Sequence, residues 1–346
     1  MQTSPKYFFA IPPLAALALL ALLYFFLGPT VANADPVLSI AITESSGDDF
    51  DADVRQVRKT GARATSLTLF WDEADQNGTY APEFDWPSIA NGYYPGRGLS
   101  LIITLSVIDT VTDRRPKDLL KKSWDDPIVI ARFNAYLTEI LSRMPDTDIL
   151  AIAVGNEIDG HLRRDKDWQA YERFFSAARD TIHQTRPNVP VGVTMTWQGM
   201  QGNNATRSAR LNALTDAALI NYYPLDSRFH VLPPADIMAQ LDAMIIAANG
   251  KPVYLFETGY PSEGCGSNPA LQQAYFQHLL AAWHTRKRDI PLINLVWLHD
   301  IPAAKLQDYA SYYGSDNRCF LSYLSSLGLR SLNGQNKPAF NWLISR

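Results

Sequence analysis

Two glutamates are the residues of this sequence best suited to catalysis. Glu157 closely follows the apolar run Ile149–Val154, and Glu257 ends a second apolar run that begins at Val253. A continuous apolar run of this kind is typical of a strand buried on both faces, as in a parallel sheet. Either glutamate taken alone could instead be a helix cap. Two strand-terminal glutamates in one chain favour acid–base or nucleophilic chemistry.

The alternation of side chains along a strand predicts where each carboxylate points. Glu157 falls on the same face as the small residues Ala151 and Ala153, which suits the crowded interior of a barrel. By the same rule, Glu257 falls on the same face as Leu255. Both glutamates would then emerge at the C-terminal ends of their strands, where barrel enzymes keep their active sites.

Eight strand-like segments alternate with helix-like segments along the chain. They are Val37–Thr43, Ser66–Trp71, Ser100–Ser106, Ala151–Val154, Val189–Thr194, Ala217–Tyr222, Val253–Phe256 and Leu292–Trp297. This pattern predicts an α/β fold, a single (β/α)8 TIM barrel. A doubly wound open sheet is the alternative, but it usually carries a glycine-rich phosphate turn after its first strand, and residues 44–47 do not form one.

Aromatic side chains gather at or just after the predicted strand ends. They are Trp71, Trp197, Tyr222, Tyr223, Tyr260 and Trp297. Aromatic rings can stack on the apolar faces of sugars, and two carboxylates that flank a glycosidic bond can cleave it. We therefore predict that these aromatic residues bind a carbohydrate. For two of them the alternatives are that Tyr222 faces outward and that Trp197 only anchors a loop. Alternation along the eighth strand places Trp297 on the same face as Leu295.

Several other functional classes leave no trace in the sequence. It has no H-E-x-x-H zinc motif, no phosphate-binding loop and no G-x-S-x-G elbow. The formal net charge is −4, so no polyanionic partner is implied. We expect no metal, no cofactor and no nucleic-acid partner, and we expect the protein to be a monomer.

Residues 1–34 form a segment distinct from the predicted barrel of residues 35–346. Lys6 precedes the apolar run Tyr7–Leu27, and an A-x-A site follows at Ala32–Ala34. This arrangement is typical of a secretory signal. The apolar run is also nearly long enough to span a bilayer, so an uncleaved membrane anchor is the alternative. Either interpretation predicts a secreted, periplasmic or extracellular protein. It would contact the membrane only if this segment is not cleaved.

The two cysteines of the chain are predicted to form a disulfide bond. Cys265 follows the seventh predicted strand and Cys319 follows the eighth. An oxidising compartment permits a disulfide, and loops at the same end of a barrel lie close together. Two unpaired thiols are the alternative. Two cysteines without a histidine cluster make no zinc site.

Three short motifs resemble a known group of enzymes. They are V-G-N-E at Val154–Glu157, N-Y-Y-P at Asn221–Pro224 and E-T-G-Y-P-S at Glu257–Ser262. Together they resemble the retaining (β/α)8 glycoside hydrolases of clan A, in particular the β-1,3-glucanases of the family 17 type. The tail Leu327–Ala339 is similar to the closing segment of several other members of the clan.

The resemblance implies a role for five residues. Glu157 would be the general acid/base and Glu257 the nucleophile, while Asn156 would hold the 2-hydroxyl of the sugar. Tyr223 would donate a hydrogen bond to the nucleophile, and Trp297 would form the floor of the subsite at the cleaved bond. The pKa of Glu157 should be raised by burial or by the charge of Glu257. Retention requires the carboxyl groups to lie about 5–5.5 Å apart, and inversion about 6.5–9.5 Å.

The sequence departs from these relatives at three places, and the first is a first strand without the glycine- and tyrosine-rich opening of the family. Tyr260 stands where the β-1,3-glucanases have tryptophan, and the second strand ends in Trp71-Asp72-Glu73, where many clan members place an arginine. We therefore predict an exported retaining β-glycosidase that hydrolyses or transglycosylates a β-glucan-type polysaccharide. The alternatives are a β-mannanase or β-galactanase of the same clan, and a non-catalytic carbohydrate-binding barrel.

Overall fold

Nine parallel strands form one sheet in the described part of the chain. In this computed structural model, residues 35–47 and 49–346 are described. The predicted signal or anchor, residues 1–34, lies outside them. Among the described residues, no helix is long and apolar enough to cross a bilayer. Residues Pro36–Arg346 form one compact unit.

The strands follow the predicted order along the chain. They are β1 Val37–Ile40, β2 Ala64–Phe70, β3 Asp75–Gln76, β4 Thr79–Tyr80, β5 Ser100–Asp109, β6 Thr112–Asp113, β7 Ile149–Asn156, β8 Val191–Gly192, β9 Thr194–Thr196, β10 Ala218–Tyr222, β11 Val253–Thr258 and β12 Leu292–Leu295. The parallel order is β8-β7-β5-β2-β1-β12-β11-β10-β9. Because β8 and β9 are the two halves of the predicted fifth strand, the sheet nearly closes on itself. This confirms the predicted TIM-barrel fold.

Helices flank this sheet and connect most of its strands. They are α1 Phe50–Lys59, α2 Trp71–Ala74, α3 Trp86–Tyr93, α4 Pro127–Ser142, α5 Asp165–Thr185, α6 Ala205–Asn212, α7 Ile237–Ala247, α8 Pro269–His284, α9 Ala303–Tyr313, α10 Arg318–Ser325 and α11 Pro338–Ile344. Several begin at a capping side chain followed by proline. Asn268, for example, accepts hydrogen bonds from the backbone of Ala270 and Leu271, and Pro269 starts α8.

The core has two layers, as expected for a barrel. Ala151 and Ala153 of β7 pack in the barrel interior, where small side chains leave room for Phe256. Ile152 and Val154 face outward and pack in the larger cluster between the sheet and the helices. Burial of a large apolar side chain contributes about 1.5–3 kcal/mol, so this outer layer makes a large contribution to the stability of the fold.

Regular alternation fails at the end of β7. Gly155 has φ +89° and Glu157 has φ +44°, both in the left-handed region. The register between β5 and β7 also shifts after Val154. As a result, the adjacent residues Asn156 and Glu157 both line the same cleft, whereas a regular strand would send them to opposite faces.

Alternation also fails before Glu257 and Trp297, and two of our predictions were wrong for this reason. Leu255 packs toward the helices, whereas Glu257 lines the cleft. A bulge of one residue after Leu255 shifts the register of β11 against β12 and reverses the direction of Glu257. Leu295 also packs toward the helices, and β12 ends there, two residues before Trp297. Trp297 therefore does not lie on the same face as Leu295.

The predicted disulfide is present between Cys265 and Cys319, with the two Cα atoms 5.3 Å apart. It joins the loop after β11 to α10. Helices α9 and α10 follow the last strand, and neither was predicted from the sequence. Helix α11 begins at Pro338, within the tail Leu327–Ala339 that is similar to the closing segment of other clan members.

Candidate active site

The C-terminal ends of the strands open into a cleft of about 1060 Å³. Five of the residues predicted to form the active site line it: Asn156, Glu157, Tyr223, Glu257 and Trp297. They come from the ends of β7, β10, β11 and β12, which are far apart in sequence. The barrel therefore brings together the two glutamates and the residues to which the resemblance gave roles beside them.

Glu157 is held by the backbone and by two hydrogen bonds. A Cβ atom at Gly155 would lie 2.4 Å from the hydroxyl of Tyr171, so glycine suits both the space and the positive φ at this position. The carboxylate of Glu157 accepts a hydrogen bond of 2.9 Å from Thr110 Oγ1 and one of 3.2 Å from Asn221 Nδ2. These contacts fix the orientation of its two oxygens.

Asn156 belongs to the same hydrogen-bond network. Its Nδ2 donates to Asp109 Oδ1 at 3.3 Å, and its Oδ1 accepts from Thr194 Oγ1 at 3.1 Å. Asn221 Nδ2 lies 3.2 Å from this Oδ1 and also contacts Glu157, so it links the two side chains. The predicted contact between Asn156 and a sugar 2-hydroxyl remains a prediction.

Glu257 has a simpler environment. The hydroxyl of Tyr223 donates to Glu257 Oε2 at 2.6 Å, which is the hydrogen bond that the resemblance implied. The ring of Tyr223 is itself fixed by an edge-to-face contact with Tyr323, with the ring centroids 5.7 Å apart. A short bond from a half-buried phenol orients the carboxylate and favours its ionised form.

Both glutamates have a raised pKa. Burial is the largest cause for each, although both carboxyls remain partly open to the cleft. The charge of Glu157 raises the pKa of Glu257 further, and the charge of Asp159 raises that of Glu157. Because two neighbouring carboxyls resist carrying two negative charges, the pair retains one proton to a higher pH than isolated glutamates would.

Asp159 is a buried carboxylate that sequence reasoning missed. Its oxygens accept from the backbone N of Thr196 at 2.9 Å and from Thr196 Oγ1 at 2.6 Å. A Cβ atom at Gly199 would lie 1.9 Å from Asp159 Oδ2, so the loop after β9 passes directly over this carboxylate. Burial raises the pKa of Asp159. This residue fixes the turn after Glu157, and its position two residues after that glutamate was the available signal.

Trp297 forms part of the cleft wall. Its ring lies almost parallel to that of Tyr309, with an interplanar angle of 9° and centroids 6.4 Å apart. The peptide bond between Val296 and Trp297 is cis. An indole face in this position can stack on a sugar, as the sequence predicted, but that contact remains a prediction.

A second part of the wall comes from α9 and α10. Tyr309, Tyr312 and Tyr313 of α9 line the cleft together with Phe320 and Tyr323 of α10. The spacing of the three tyrosines corresponds to one face of a helix, which was the sequence signal for this wall. It was missed because these residues follow the last barrel strand and do not sit at a strand end.

The other four predicted sugar-binding aromatics lie outside the cleft lining. Trp71 is fully buried and its Nε1 donates to Asp75 at 3.0 Å. Trp197 is buried and its Nε1 donates to Gln240 at 2.7 Å. Both indole N–H groups are therefore engaged within the protein. We correct the prediction for both residues to a packing role.

Tyr222 and Tyr260 are also packing residues. Tyr222 is the last residue of β10 and points toward the helix layer, as alternation with Ile220 requires. Tyr260 stacks on Tyr275 with centroids 5.0 Å apart, and its hydroxyl donates to the carbonyl of Leu232 at 2.9 Å. Neither ring reaches the cleft, so their predicted contact with sugar is also corrected.

Acidic side chains dominate the charged part of the cleft lining. The acidic residues are Glu73, Asp109, Glu157, Asp226, Glu257 and Asp308, and the basic residues are Arg114 and Lys305. Arg114 lies over the ring of Phe70 and forms ion pairs with Asp72 at 3.1 Å and Glu73 at 2.6 Å. The cleft thus has an arginine near the end of β2, although β2 itself supplies none.

Solved structures with the same fold are named as glycosidases or by a glycoside hydrolase family. GH5_18 from Streptomyces cattleya, in complex with Manβ1-4GlcNAc, has a TM-score of 0.67 and 18% identity, and the alignment covers 90% of this chain and 80% of that one. GH5_18 from Bifidobacterium longum has a TM-score of 0.69 and 14% identity, with 90% and 78% covered.

A third similar structure is an exo-β-1,4-mannosidase from Opitutaceae bacterium strain TAV5. Its TM-score is 0.70 and its identity 18%, and the alignment covers 90% of this chain and 58% of that one. No protein-family model and no curated protein matches the sequence. At identities this low, the structural similarity establishes the shared barrel fold alone. These three structures do not support the narrower grouping with the β-1,3-glucanases.

Proposed function

We propose that the chain is a glycoside hydrolase that cleaves β-linked glycans by double displacement. The observation that carries this proposal is the placement of Glu157 and Glu257 in one cleft, each with a raised pKa and the charge of Glu157 acting on Glu257. A pair that holds one proton provides one acid and one nucleophile at the same time.

In the first step, a carboxylate oxygen of Glu257 attacks the anomeric carbon while the bond to the leaving oxygen breaks. Glu157 gives its proton to that oxygen, so the departing sugar leaves as a neutral alcohol. In the second step, Glu157 takes a proton from water, which attacks the anomeric carbon and frees Glu257. A sugar hydroxyl in place of water gives transglycosylation. Asn156 holds the 2-hydroxyl throughout.

The charges of the cleft favour a neutral sugar. A uronic acid would bring a further carboxylate beside Glu157 and Glu257, and it would need a cation to bind it. Both basic residues of the described lining have carboxylates nearby: Arg114 pairs with Asp72 and Glu73, and Lys305 lies 3.9 Å from Asp308. We therefore propose a neutral hexose polymer as the substrate.

Two neutral polymers are the main candidates. The V-G-N-E and E-T-G-Y-P-S motifs favour a β-glucan, as in the β-1,3-glucanases that they resemble. A β-mannan is the second candidate, because one similar structure is named as a mannosidase and another contains Manβ1-4GlcNAc. A barrel that binds glycans without cleaving them is a weaker alternative, since both glutamates are in place. We also propose that the protein is exported, on the basis of residues 1–34.

The test is reducing-sugar release from β-1,3-, β-1,4-, β-1,6- and β-1,2-glucans, β-mannan and β-galactan. The wild type is compared with Glu257→Ala, and Glu44→Ala, an exposed carboxylate outside the cleft lining, serves as the matched control. We expect one polymer to be cleaved by the wild type and the control and not by Glu257→Ala. Equal activity in all three proteins would contradict the proposed mechanism.

Proton NMR of the first product distinguishes the two stereochemical courses. A retaining enzyme releases the β-anomer first, and the α-anomer then appears by mutarotation. Initial release of the α-anomer would show that the reaction is a single displacement by water and not a double displacement.

A further inference from the structure

A second groove meets the catalytic cleft near the end of β2. Its volume is about 340 Å³, and Thr68, Phe70 and Glu73 line both the groove and the cleft. Within the described part of the chain, β1 pairs with β2 only at Ala64, so the later part of β2 has no strand partner on that side. Thr68 is exposed there. The two cavities are therefore adjacent, and these three residues border both of them.

Two exposed aromatic rings line the groove. Phe84 and Trp86 are 54% and 48% exposed, and their ring centroids lie 5.5 Å apart at an interplanar angle of 39°. A single exposed aromatic residue is ordinary, but adjacent exposed rings that line a groove indicate a binding surface. We refer to Phe84 and Trp86 as the aromatic platform.

The aromatic platform is held by a well-anchored loop. Asp85, between the two rings, accepts hydrogen bonds from Ser88 Oγ at 2.7 Å and from Tyr80 OH at 3.1 Å. It also accepts from Arg143 Nη1 at 2.6 Å, which ties the loop to the end of α4. Because the loop is already ordered, a ligand would lose little affinity to the cost of ordering it.

We propose that the aromatic platform binds distal sugar units of the same glycan chain that is cleaved between Glu157 and Glu257. The two rings offer apolar faces to pyranose rings, while Glu73, Gln76 and Glu83 at the groove offer partners for hydroxyls. The acidic residues again favour a neutral glycan. This inference rests on the proposed function and adds that the preferred substrate is long enough to reach from the cleft to the platform.

The kinetic test compares a long substrate with a short one. For Phe84→Ala/Trp86→Ala, we expect kcat/KM on the cleaved polysaccharide to fall about tenfold, as for the loss of a binding hot spot. Activity on an aryl β-glycoside of one sugar, which cannot reach the platform, should stay within about twofold of wild type. Ile89→Ala is the matched control, because Ile89 is 49% exposed on the same helix but does not line the groove.

Trp86→Phe separates an aromatic contact from a structural role. It keeps a ring at the first position of α3, so we expect it to recover most of the polymer activity lost in Trp86→Ala. Equal losses on the long and short substrates, or unchanged kinetics on both, would overturn the proposal. Association with lipid vesicles that is lost in the double variant, with unchanged polymer kinetics, would assign the platform to a membrane contact instead.

A binding measurement tests the platform without turnover. In affinity electrophoresis through gels that contain the soluble glucans or mannan, Glu257→Ala should be retarded by at least one polymer. Adding the Phe84→Ala and Trp86→Ala changes should weaken that retardation about tenfold. If the wild type cleaves no polymer and the retardation is still present, the proposed catalysis is contradicted. Glycan binding by the aromatic platform is then still supported. Equal retardation with and without the rings would overturn the platform.

Discussion

The two glutamates occupy equivalent places in the barrel but differ in their surroundings. Glu157 follows the end of β7 in a left-handed conformation and accepts hydrogen bonds from Thr110 and Asn221. Glu257 lies within β11, beside a bulge, and accepts its hydrogen bond from Tyr223. One carboxylate thus has two neutral donors and a nearby aspartate, and the other has one short bond from a phenol.

This difference matches the two roles in the proposed mechanism. An acid/base must gain and lose a proton in every cycle, and two moderate donors allow either state of Glu157. A nucleophile must be ionised and aimed before it attacks, and the single bond from Tyr223 fixes one oxygen of Glu257 while favouring its charge. The environment of each residue therefore indicates its role more specifically than its burial does, because burial raises both pKa values.

The strongest way to break this assignment is to remove the nucleophile. Glu257→Ala should lower kcat by at least about 10⁴-fold, because the covalent intermediate can no longer form. Added azide should restore turnover of a β-aryl glycoside and give the α-glycosyl azide, since azide would attack directly from the opposite face. A β-glycosyl azide from this variant would mean that the roles of the two glutamates are the reverse of those assigned.

Removal of the acid should have a smaller effect that depends on the leaving group. Glu157→Ala should lower kcat about 10²- to 10⁴-fold on the polysaccharide, which is the usual contribution of general acid–base catalysis. A dinitrophenyl glycoside needs no proton on its leaving oxygen, so formation of the intermediate from it should be nearly unaffected. Pre-steady-state release of dinitrophenol measures this step. Equal losses on both substrates would remove Glu157 from the acid role.

Tyr223→Phe should have an intermediate effect. It removes the donor to Glu257 and keeps the ring, so loss of a hydrogen bond to a charged group predicts a fall in kcat of about 10- to 100-fold. The bond lowers the pKa of Glu257, so the acid limb of the pH–rate profile should move to higher pH. Tyr222→Phe is the matched control, because that hydroxyl lies outside the cleft lining and has no hydrogen-bond partner among the described residues. An unmoved acid limb in Tyr223→Phe would show that this bond does not set the charge of Glu257.

The sequence predicted the order of the barrel strands and the placement of the two glutamates at strand ends. Both predictions depend on apolar runs that end in polar residues. It did not predict the directions of Glu257 and Trp297. Strand alternation is a rule for regular pairing, and the chain leaves regular pairing where it enters the cleft. A bulge in β11 and the end of β12 at Leu295 are properties of the closed sheet, which a single segment does not reveal.

The aromatic residues show the same limit. Trp71, Trp197, Tyr222 and Tyr260 stand near strand ends but pack in the core, while Tyr309 of the unpredicted α9 lines the cleft. Proximity to a strand end in the sequence does not distinguish a ring that faces the cleft from one that faces the helices. That distinction depends on which neighbours cover the ring, and those neighbours come from distant parts of the chain.

The smallest predicted effect tests the proton affinity of Glu157 alone. Thr110→Val keeps the shape of the side chain and removes a donor that stabilises the ionised carboxylate. The pKa of Glu157, already raised by burial, should therefore rise further. Because the acid must be protonated to act, the alkaline limb of the kcat profile should move to higher pH while the acid limb stays in place.

The measurement is the pH–rate profile of Thr110→Val beside that of Thr138→Val, a substitution on the exposed surface of α4. The shift should be about one pH unit or less, since a single neutral hydrogen bond contributes about 0.5–1.5 kcal/mol and one unit corresponds to about 1.4 kcal/mol. A shift of the acid limb instead would mean that Glu157 is the carboxyl that ionises first. The donors around the two glutamates would then have to be assigned to the opposite roles.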